Sequence, residues 1–135
     1  MPAAISTPPR LSPGTLRGTP IGGLGEIGRN MTIFEIDGKI LVVDCGVLFP
    51  EENQPGVDLI LPDVSWLADK LDRLEAIFIT HAHEDHIGAL APLWPRLQKK
   101  VYCRRFTATI GRLKFDEAGL PLDQVTKVDA AAELA

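Results

Sequence analysis

The strongest constraint on the fold is an apolar run that leads directly into a cluster of histidines. Residues 76–80 read Ala-Ile-Phe-Ile-Thr, which is typical of a buried strand. Residues 81–86 follow as His-Ala-His-Glu-Asp-His and contain all three histidines of the chain. Residues 87–91, Ile-Gly-Ala-Leu-Ala, are compatible with a helix. The sequence therefore predicts that polar side chains collect where a buried strand ends and a helix follows.

The residue types in this cluster indicate a metal site. Imidazole nitrogen and carboxylate oxygen are ligands that zinc and similar divalent metals prefer. In an extended segment residues two apart point to the same side, so His81 and His83 can bind one metal, while Asp85 and His86 lie where the chain turns. Two neighbouring metals can activate a shared water for displacement at phosphorus or at a carbonyl carbon. The cluster thus favours hydrolysis over the alternative of a solvated polar loop.

The remaining sequence predicts strands that alternate with helices. Residues 16–21 and 31–36 alternate like strands, Asp37-Gly38 is a hairpin turn, and residues 39–43 form the returning apolar strand. Further elements are expected from capping and periodicity: a helix over 65–74 capped by Asp63 or Ser65, a helix over 89–97, a strand over 101–103, a helix from the N-cap Thr107 to residue 118, and a strand over 122–128. This order is typical of a layered α/β domain.

A glycine pattern near the start invites a different interpretation. Gly23, Gly25 and Gly28 have the spacing of a dinucleotide-binding fingerprint. That fingerprint requires a helix directly after the glycines, whereas residues 30–36 alternate with strand period and lead into the hairpin turn. We therefore expect no nicotinamide or flavin site, and expect instead that the glycines let a loop approach the metals or the substrate.

Charge is distributed unevenly along the chain, whose formal net charge is -4. Residues 51–86 are rich in acids, with Lys70 and Arg73 as their only bases. Residues 96–114 hold no acid and carry a run of bases, namely Arg96, Lys99, Lys100, Arg104, Arg105, Arg112 and Lys114. These bases could bind the phosphates of RNA. A basic face that is only exposed to solvent is an equally good interpretation.

Composition indicates the size class of the protein and its cellular compartment. With 135 residues, 45% hydrophobic and 24% charged, the chain can hold one domain-sized core. We expect residues 1–14, rich in proline, to be a flexible leader and residues 15–135 to form the domain. Cys45 and Cys103 are too few for a disulfide framework and are expected to be buried packing residues. No apolar run is long enough to span a membrane, so a cytoplasmic protein is expected.

Four segments together carry a resemblance to a known family. They are residues 22–31 (Gly-Gly-Leu-Gly-Glu-Ile-Gly-Arg-Asn-Met), 43–46 (Val-Asp-Cys-Gly), 55–63 (Pro-Gly-Val-Asp-Leu-Ile-Leu-Pro-Asp) and 80–88 (Thr-His-Ala-His-Glu-Asp-His-Ile-Gly). The last resembles the signature of the metallo-β-lactamase superfamily, and the set is similar to its ribonuclease J (β-CASP) branch. The resemblance runs from about residue 16 to about residue 119.

The resemblance implies a fold and a set of roles. The fold would be the N-terminal half of an αβ/βα sandwich, incomplete in this chain. The implied metal ligands are His81, His83, Asp85 and His86, holding zinc, two ions per complete site, with manganese or magnesium as alternatives. Asp44 would accept a hydrogen bond from a ligand histidine, although it could instead cap a turn. Asp85 would be catalytic, binding metal and orienting the nucleophile.

The implied activity is hydrolysis of RNA phosphodiesters, both exonucleolytic from the 5′ end and endonucleolytic, by a protein expected to be a homo-oligomer. No substrate-binding residue is assigned. Glu84 is given no ligand role, and Asp58 and Asp63 are interpreted as turn and cap residues.

The chain also departs from the family pattern, because no histidine follows His86. The family's complete site uses a later histidine and a bridging carboxylate, so we interpret the chain as an N-terminal fragment that is inactive alone. Its uncovered sheet face would make it weakly stable or prone to associate. Two alternatives stay open: a small-molecule metallo-hydrolase of the same superfamily, and a non-catalytic truncated remnant.

This interpretation predicts a low metal content. The purified 135-residue chain should retain far fewer than two metal ions per molecule, because four candidate ligands are too few for two tightly held ions. Elemental analysis after gel filtration measures the ratio. Two tightly bound ions per chain would contradict the expected truncation.

Overall fold

The computed structural model describes residues 10–25, 28–48 and 60–129. These residues form one six-stranded sheet with helices packed against it. The expectations for residues 1–9, for Asp58 and for 130–135 lie outside the described residues. Within them, the expected α/β class and layered architecture are confirmed.

The sheet has the simple strand order β1-β2-β3-β4-β5-β6. Its strands are β1 (Arg17–Gly22), β2 (Met31–Ile36), β3 (Lys39–Val43), β4 (Leu74–Ile79), β5 (Val101–Cys103) and β6 (Val125–Lys127). The first three strands pair antiparallel and β3 to β6 pair parallel. The carboxyl ends of β3, β4, β5 and β6 therefore lie along one edge of the sheet.

In the described part of the chain, three α-helices and three 3-10 turns connect the strands. The helices are α1 (Glu84–Ile87), α2 (Leu90–Leu97) and α3 (Arg105–Glu117), and the 3-10 turns are Ser65–Leu67, Leu71–Arg73 and Leu122–Gln124. Helix α2 ends at Gln98, whose backbone is in the left-handed conformation with φ 49°.

The expected hairpin over β2 and β3 is confirmed, with Asp37 and Gly38 both at positive φ as its turn requires. The single helix expected over 65–74 is wrong, because two separate 3-10 turns occupy this segment. Lys70 interrupts them with φ -123°, outside helical values, and its Nζ donates to the carbonyl of Trp66.

Two further boundary expectations are wrong. Thr107 is a buried residue inside α3, and the N-cap is Arg104, which makes no side-chain capping bond. Only residues 125–127 of the expected final strand are paired, since Leu122–Gln124 forms a 3-10 turn. The histidine segment also contains a short helix, α1, that the sequence did not predict.

The core lies between one face of the sheet and helices α2 and α3. Fully buried residues from the strands, Ile33, Ile40, Val42, Ile77 and Val101, share it with the helical residues Leu93, Leu97 and Phe115. Trp94 and Phe115 meet edge to face at 5.5 Å, which joins the two helices. Burial of this continuous apolar cluster is the main force that holds the strands in register.

The opposite face of the sheet is apolar but only half-buried in the described part of the chain. It carries Phe34, Leu41, Val43, Phe78 and Tyr102 at paired register positions, and the last two rings stack at 5.7 Å. This is the face that the second layer of the expected sandwich would cover.

Both cysteines are buried and unbonded. Burial raises the pKa of Cys45 to about 12 and that of Cys103 to about 11, so both thiols are protonated at neutral pH. Their expected role as packing residues is confirmed. No helix in residues 10–25, 28–48 and 60–129 is long and apolar enough to cross a membrane.

Two chain segments meet beside the carboxyl ends of β3 and β4. Backbone N–H groups of Cys45 and Val47 donate to the carbonyls of His86 and Glu84 at 2.8 and 3.0 Å. Gly46 lies between them, and a Cβ there would overlap the carbonyl oxygen of Asp85. Only glycine allows the strand end to approach the histidine segment this closely.

We predict that Gly46→Ala lowers the free energy of unfolding by about 3 kcal/mol, because backbone has to move to admit the methyl group. Gly111→Ala is the matched control, since its Cβ would meet only side-chain atoms of Val125 and Ile87 at 3.3 and 3.8 Å. The control should shift stability by no more than about 1 kcal/mol. Urea denaturation followed by circular dichroism measures both, and equal effects would contradict the close approach.

Candidate metal centre

The parallel pairing of β3 and β4 brings two loops to one edge of the sheet. Val43, the last residue of β3, pairs with Phe78 near the end of β4. Asp44 follows β3 directly, while Thr80 and His81 follow β4. The chain then turns into α1, which carries Asp85 and His86 back toward the same point.

Three of the four expected metal ligands converge. Candidate ligand atoms of His81, Asp85 and His86 all lie within 4.8 Å of one another. His83 is outside this group: it is exposed, extended and forms the N-cap of α1, with its ring centroid 4.9 Å from that of His81. The structure therefore places His83 beside the cluster and the other three within it.

Asp44 lies beside the cluster and contacts one of its histidines. Its carboxylate is buried, with the residue 7% exposed, and His86 Nδ1 lies 2.7 Å from its Oδ2. A carboxylate can only accept, so Nδ1 carries the proton and donates. This leaves His86 Nε2, which lies 3.4 Å from Asp85 Oδ2, as the ring atom that faces the cluster.

Thr80 extends this arrangement to a second histidine. Its backbone N–H donates to Asp44 Oδ1 at 2.7 Å, and its Oγ1 lies 2.9 Å from both carboxylate oxygens. The single hydroxyl proton must go to the carboxylate, so the 3.0 Å contact with His81 requires His81 Nδ1–H to donate to Oγ1. Asp44 thus fixes the tautomer of His86 directly and that of His81 through Thr80, and both rings present Nε2.

Asn30 was not anticipated as a site residue. Its backbone N–H and its Nδ2 both donate to the carbonyl of Asp85, at 3.1 and 2.9 Å, and its own carbonyl accepts from Gly46. The glycine-rich loop thereby reaches the ligand segment, as expected. Residues 28–30 are irregular and lead directly into β2 (Met31–Ile36), so the helix that a dinucleotide fingerprint needs after its glycines does not occur in this described segment. The available sequence signal for Asn30 was its position two residues after Gly28, the last of the three glycines.

Glu84 and Asp63, two acidic residues without an expected ligand role, have other partners. Glu84 Oε1 accepts from Lys114 Nζ on α3, in agreement with its having no assigned ligand role. Asp63 accepts from the backbone of Ser65 at 3.0 Å, and this bond lowers the pKa of Asp63, in agreement with a turn role.

In the described part of the chain, the side chains of His81, Asp85 and His86 are half-buried, and none of them lines the cavity of about 690 Å³ beside Arg17, Glu35, Trp66 and Lys70. That cavity lies at the opposite end of the sheet from the cluster. Two imidazole nitrogens and one carboxylate oxygen form a donor set that suits zinc and its neighbours. Three such donors leave further coordination positions open, as catalytic metal sites require.

Comparison with known proteins shows the family of this chain. A family model described as the metallo-beta-lactamase superfamily matches residues 24–128. Ribonuclease J of Mycolicibacterium smegmatis is 61% identical over 90 residues, covering 67% of this chain and 16% of that protein. Ribonuclease J of Corynebacterium glutamicum is 48% identical over 114 residues, covering 84% of this chain and 16% of that protein. The chain thus spans 16% of the length of each of these relatives.

Among solved structures, one described as a peroxy diiron species of the chemotaxis sensor ODP aligns with a TM-score of 0.51 and 14% identity. It covers 87% of this chain and 43% of that chain. At this identity the likeness supports the fold alone. The resemblance to the superfamily and to ribonuclease J that the motifs indicated is confirmed by the sequence matches.

We predict that Thr80→Val weakens zinc binding by about tenfold or more, because valine keeps the shape but removes the hydroxyl that orients His81. Thr80→Ser keeps the hydroxyl and should bind zinc like the parent. Competition with a chromogenic chelator measures the affinity. Parent-like binding by Thr80→Val would show that the hydroxyl does not orient the ligand.

Proposed function

Because this chain belongs to the metallo-β-lactamase superfamily, we propose that it supplies part of the active site of a metal-dependent ribonuclease. The observation that carries the proposal is the convergence of His81, Asp85 and His86 with Asp44 behind them. The names of relatives at 61% and 48% identity support RNA as the substrate.

We propose His81, His83, Asp85 and His86 as metal ligands, with zinc as the metal, two ions in a complete site, and manganese or magnesium as alternatives. A bound divalent metal would supply Lewis-acid stabilisation of charge on phosphate oxygens and would acidify a coordinated water. His83 needs only to turn its exposed side chain toward His81, whose ring lies 4.9 Å away.

The chain's own residues orient these groups. Asp44 and Thr80 hold the protons at Nδ1 of His86 and His81, so that both Nε2 atoms face the reaction centre. Asn30 Nδ2 donates to the Asp85 carbonyl at 2.9 Å and also lies 3.5 Å from Asp85 Oδ2. Asn30 thereby positions the carboxylate that would bind metal and orient the attacking water. We therefore assign Asp85 the catalytic role.

The partial exposure of His81, Asp85 and His86 supports a polymeric substrate, because a phosphate group of an RNA strand can reach these side chains from solvent. We propose phosphodiester cleavage that is both exonucleolytic from the 5′ end and endonucleolytic. The activity is assigned to a protein that contains this chain together with further metal ligands, and the 135 residues alone are expected to be inactive. We also propose a cytoplasmic, homo-oligomeric enzyme.

A chimaera tests the proposal. The matching 90 residues of Mycolicibacterium smegmatis ribonuclease J are replaced by those of this chain, and 5′-monophosphorylated RNA is incubated with zinc or manganese. We expect cleavage, and we expect His81→Ala to reduce its rate by roughly 100-fold or more, the scale of a missing metal interaction of several kcal/mol.

Lys100→Ala in the same chimaera is the control, because Lys100 is exposed and precedes β5 at the opposite edge of the sheet. It should leave the rate unchanged. A folded chimaera that binds metal and fails to cleave RNA would refute the assignment of this segment to a ribonuclease, as would equal cleavage by the parent and His81→Ala.

A further inference from the structure

The edge of the sheet that holds the histidines continues past them. Arg104 and Arg105 follow β5 as Asp44 follows β3 and His81 follows β4, and Lys127 ends β6. The register aligns Ile79 with Cys103 and Cys103 with Lys127. Adjacent strands lie about 4.8 Å apart, so these cations are one and two strands away from the metal centre.

The cations of this region fall into two groups. Arg112 donates to the carbonyl of Val125, and Lys114 pairs with Glu84, so both side chains have internal partners. Arg104 and Arg105 are exposed and form no ion pair with any residue in the described ranges. Their guanidinium groups therefore face solvent at the site edge.

Phe106 stands beside them with 71% of its surface exposed. Other aromatic residues near it are packed: Phe115 and Trp94 are buried together, and Phe78 stacks on Tyr102. An exposed phenyl ring next to two free guanidinium groups matches the way proteins bind single-stranded nucleic acid, with bases stacked on rings and phosphates held by arginine.

We propose that Arg104, Arg105, Phe106 and Lys127, here called the β5-edge surface, bind a segment of single-stranded RNA that extends from the metal centre. Phosphates contact the arginines and Lys127, and one base stacks on Phe106. This proposal rests on the proposed function, because it gives the substrate a path along the same edge.

A protein partner is the competing occupant of this surface. Leu113 is 54% exposed on the same helix, seven residues after Phe106, so the two could form an apolar stripe with the half-buried Ile110. Leu113 lies about 10 Å further along α3, away from the strand ends. The cations gather at the Phe106 end, which favours an anionic polymer there.

The test measures RNA binding by the intact 135-residue chain in the presence of a chelator, so that cleavage plays no part. The probe is a fluorescein-labelled, 5′-phosphorylated oligoadenylate, followed by anisotropy at several salt concentrations. Arg104→Ala/Arg105→Ala should weaken binding about tenfold. It should also reduce by about 1.4 the steepness with which the logarithm of the affinity falls with the logarithm of the salt concentration. Each single-strand phosphate that a side chain neutralises adds roughly 0.7 to that slope.

Phe106→Ala should weaken RNA binding about tenfold without changing this salt dependence, and Phe106→Trp should bind RNA like the parent.

Two control variants change residues just before β5 and on α3. Lys99→Ala/Lys100→Ala removes two charges just before β5, at the opposite edge, and should change affinity by less than about twofold. Leu113→Ala should leave RNA binding unchanged. Thermal melts confirm that each variant is folded, which is expected because the changed side chains lie at the surface or are, like Lys99, half-buried.

Equal weakening by the Lys99/Lys100 and Arg104/Arg105 pairs would overturn the proposal, because binding would then follow charge alone. Parent-like binding by Phe106→Ala, or equal effects of Phe106→Ala and Leu113→Ala, would also overturn it and would favour a protein partner. These outcomes are independent of catalysis. If the chimaera is inactive and the binding results are as expected, the ribonuclease proposal is refuted and RNA binding by the β5-edge surface is still supported.

Discussion

The buried carboxylate of Asp44 ties the sheet to the histidine cluster, and the geometry of the site depends on it. Asp44 has φ 66°, a left-handed conformation that aspartate tolerates better than most residues but that still costs energy. Its side chain accepts from Thr80 and from His86, and its backbone N–H donates to Phe78 at 2.7 Å. These bonds offset the strain and the cost of burying the charge. A carboxylate with fewer donors at this position would leave both the turn and the imidazoles without a defined orientation.

Local patterns were sufficient to predict the parts of the fold in which neighbouring residues decide the structure. The period of two over residues 31–36 and the Asp37-Gly38 turn determine the hairpin, because side-chain alternation and positive φ are local properties. The run before His81 likewise had to be a buried strand. The predicted helix over 65–74 failed because the Lys70 backbone leaves the helical region, which nothing in its immediate sequence required.

The parts that were missed depend on contacts between distant segments. Asn30 and Asp85 are 55 residues apart, and no periodicity in either segment indicates that they meet. Gly46 reads as a turn glycine after Asp44, whereas its function is to admit the Asp85 carbonyl. Thr80 reads as the last residue of a strand, although its hydroxyl connects Asp44 to His81. Each of these three residues contacts a segment that is distant in sequence. The parallel pairing of β3 and β4 brings these segments together, and no local sequence pattern specifies that pairing.

The basic run over residues 96–114 shows how a cluster in sequence separates in space. Strand β5 crosses the sheet within this run, so Arg96, Lys99 and Lys100 lie at one edge and Arg104 and Arg105 lie at the other. Helix α3 then places Arg112 and Lys114 against Val125 and Glu84, where their charges are engaged. The seven bases therefore act as three separate groups. Exposed charges more than about 8 Å apart are largely screened at physiological salt. Arg96, Lys99 and Lys100, at the opposite edge, should therefore contribute little to holding a phosphate at the metal centre, whereas Arg104 and Arg105 follow the strand next to β4.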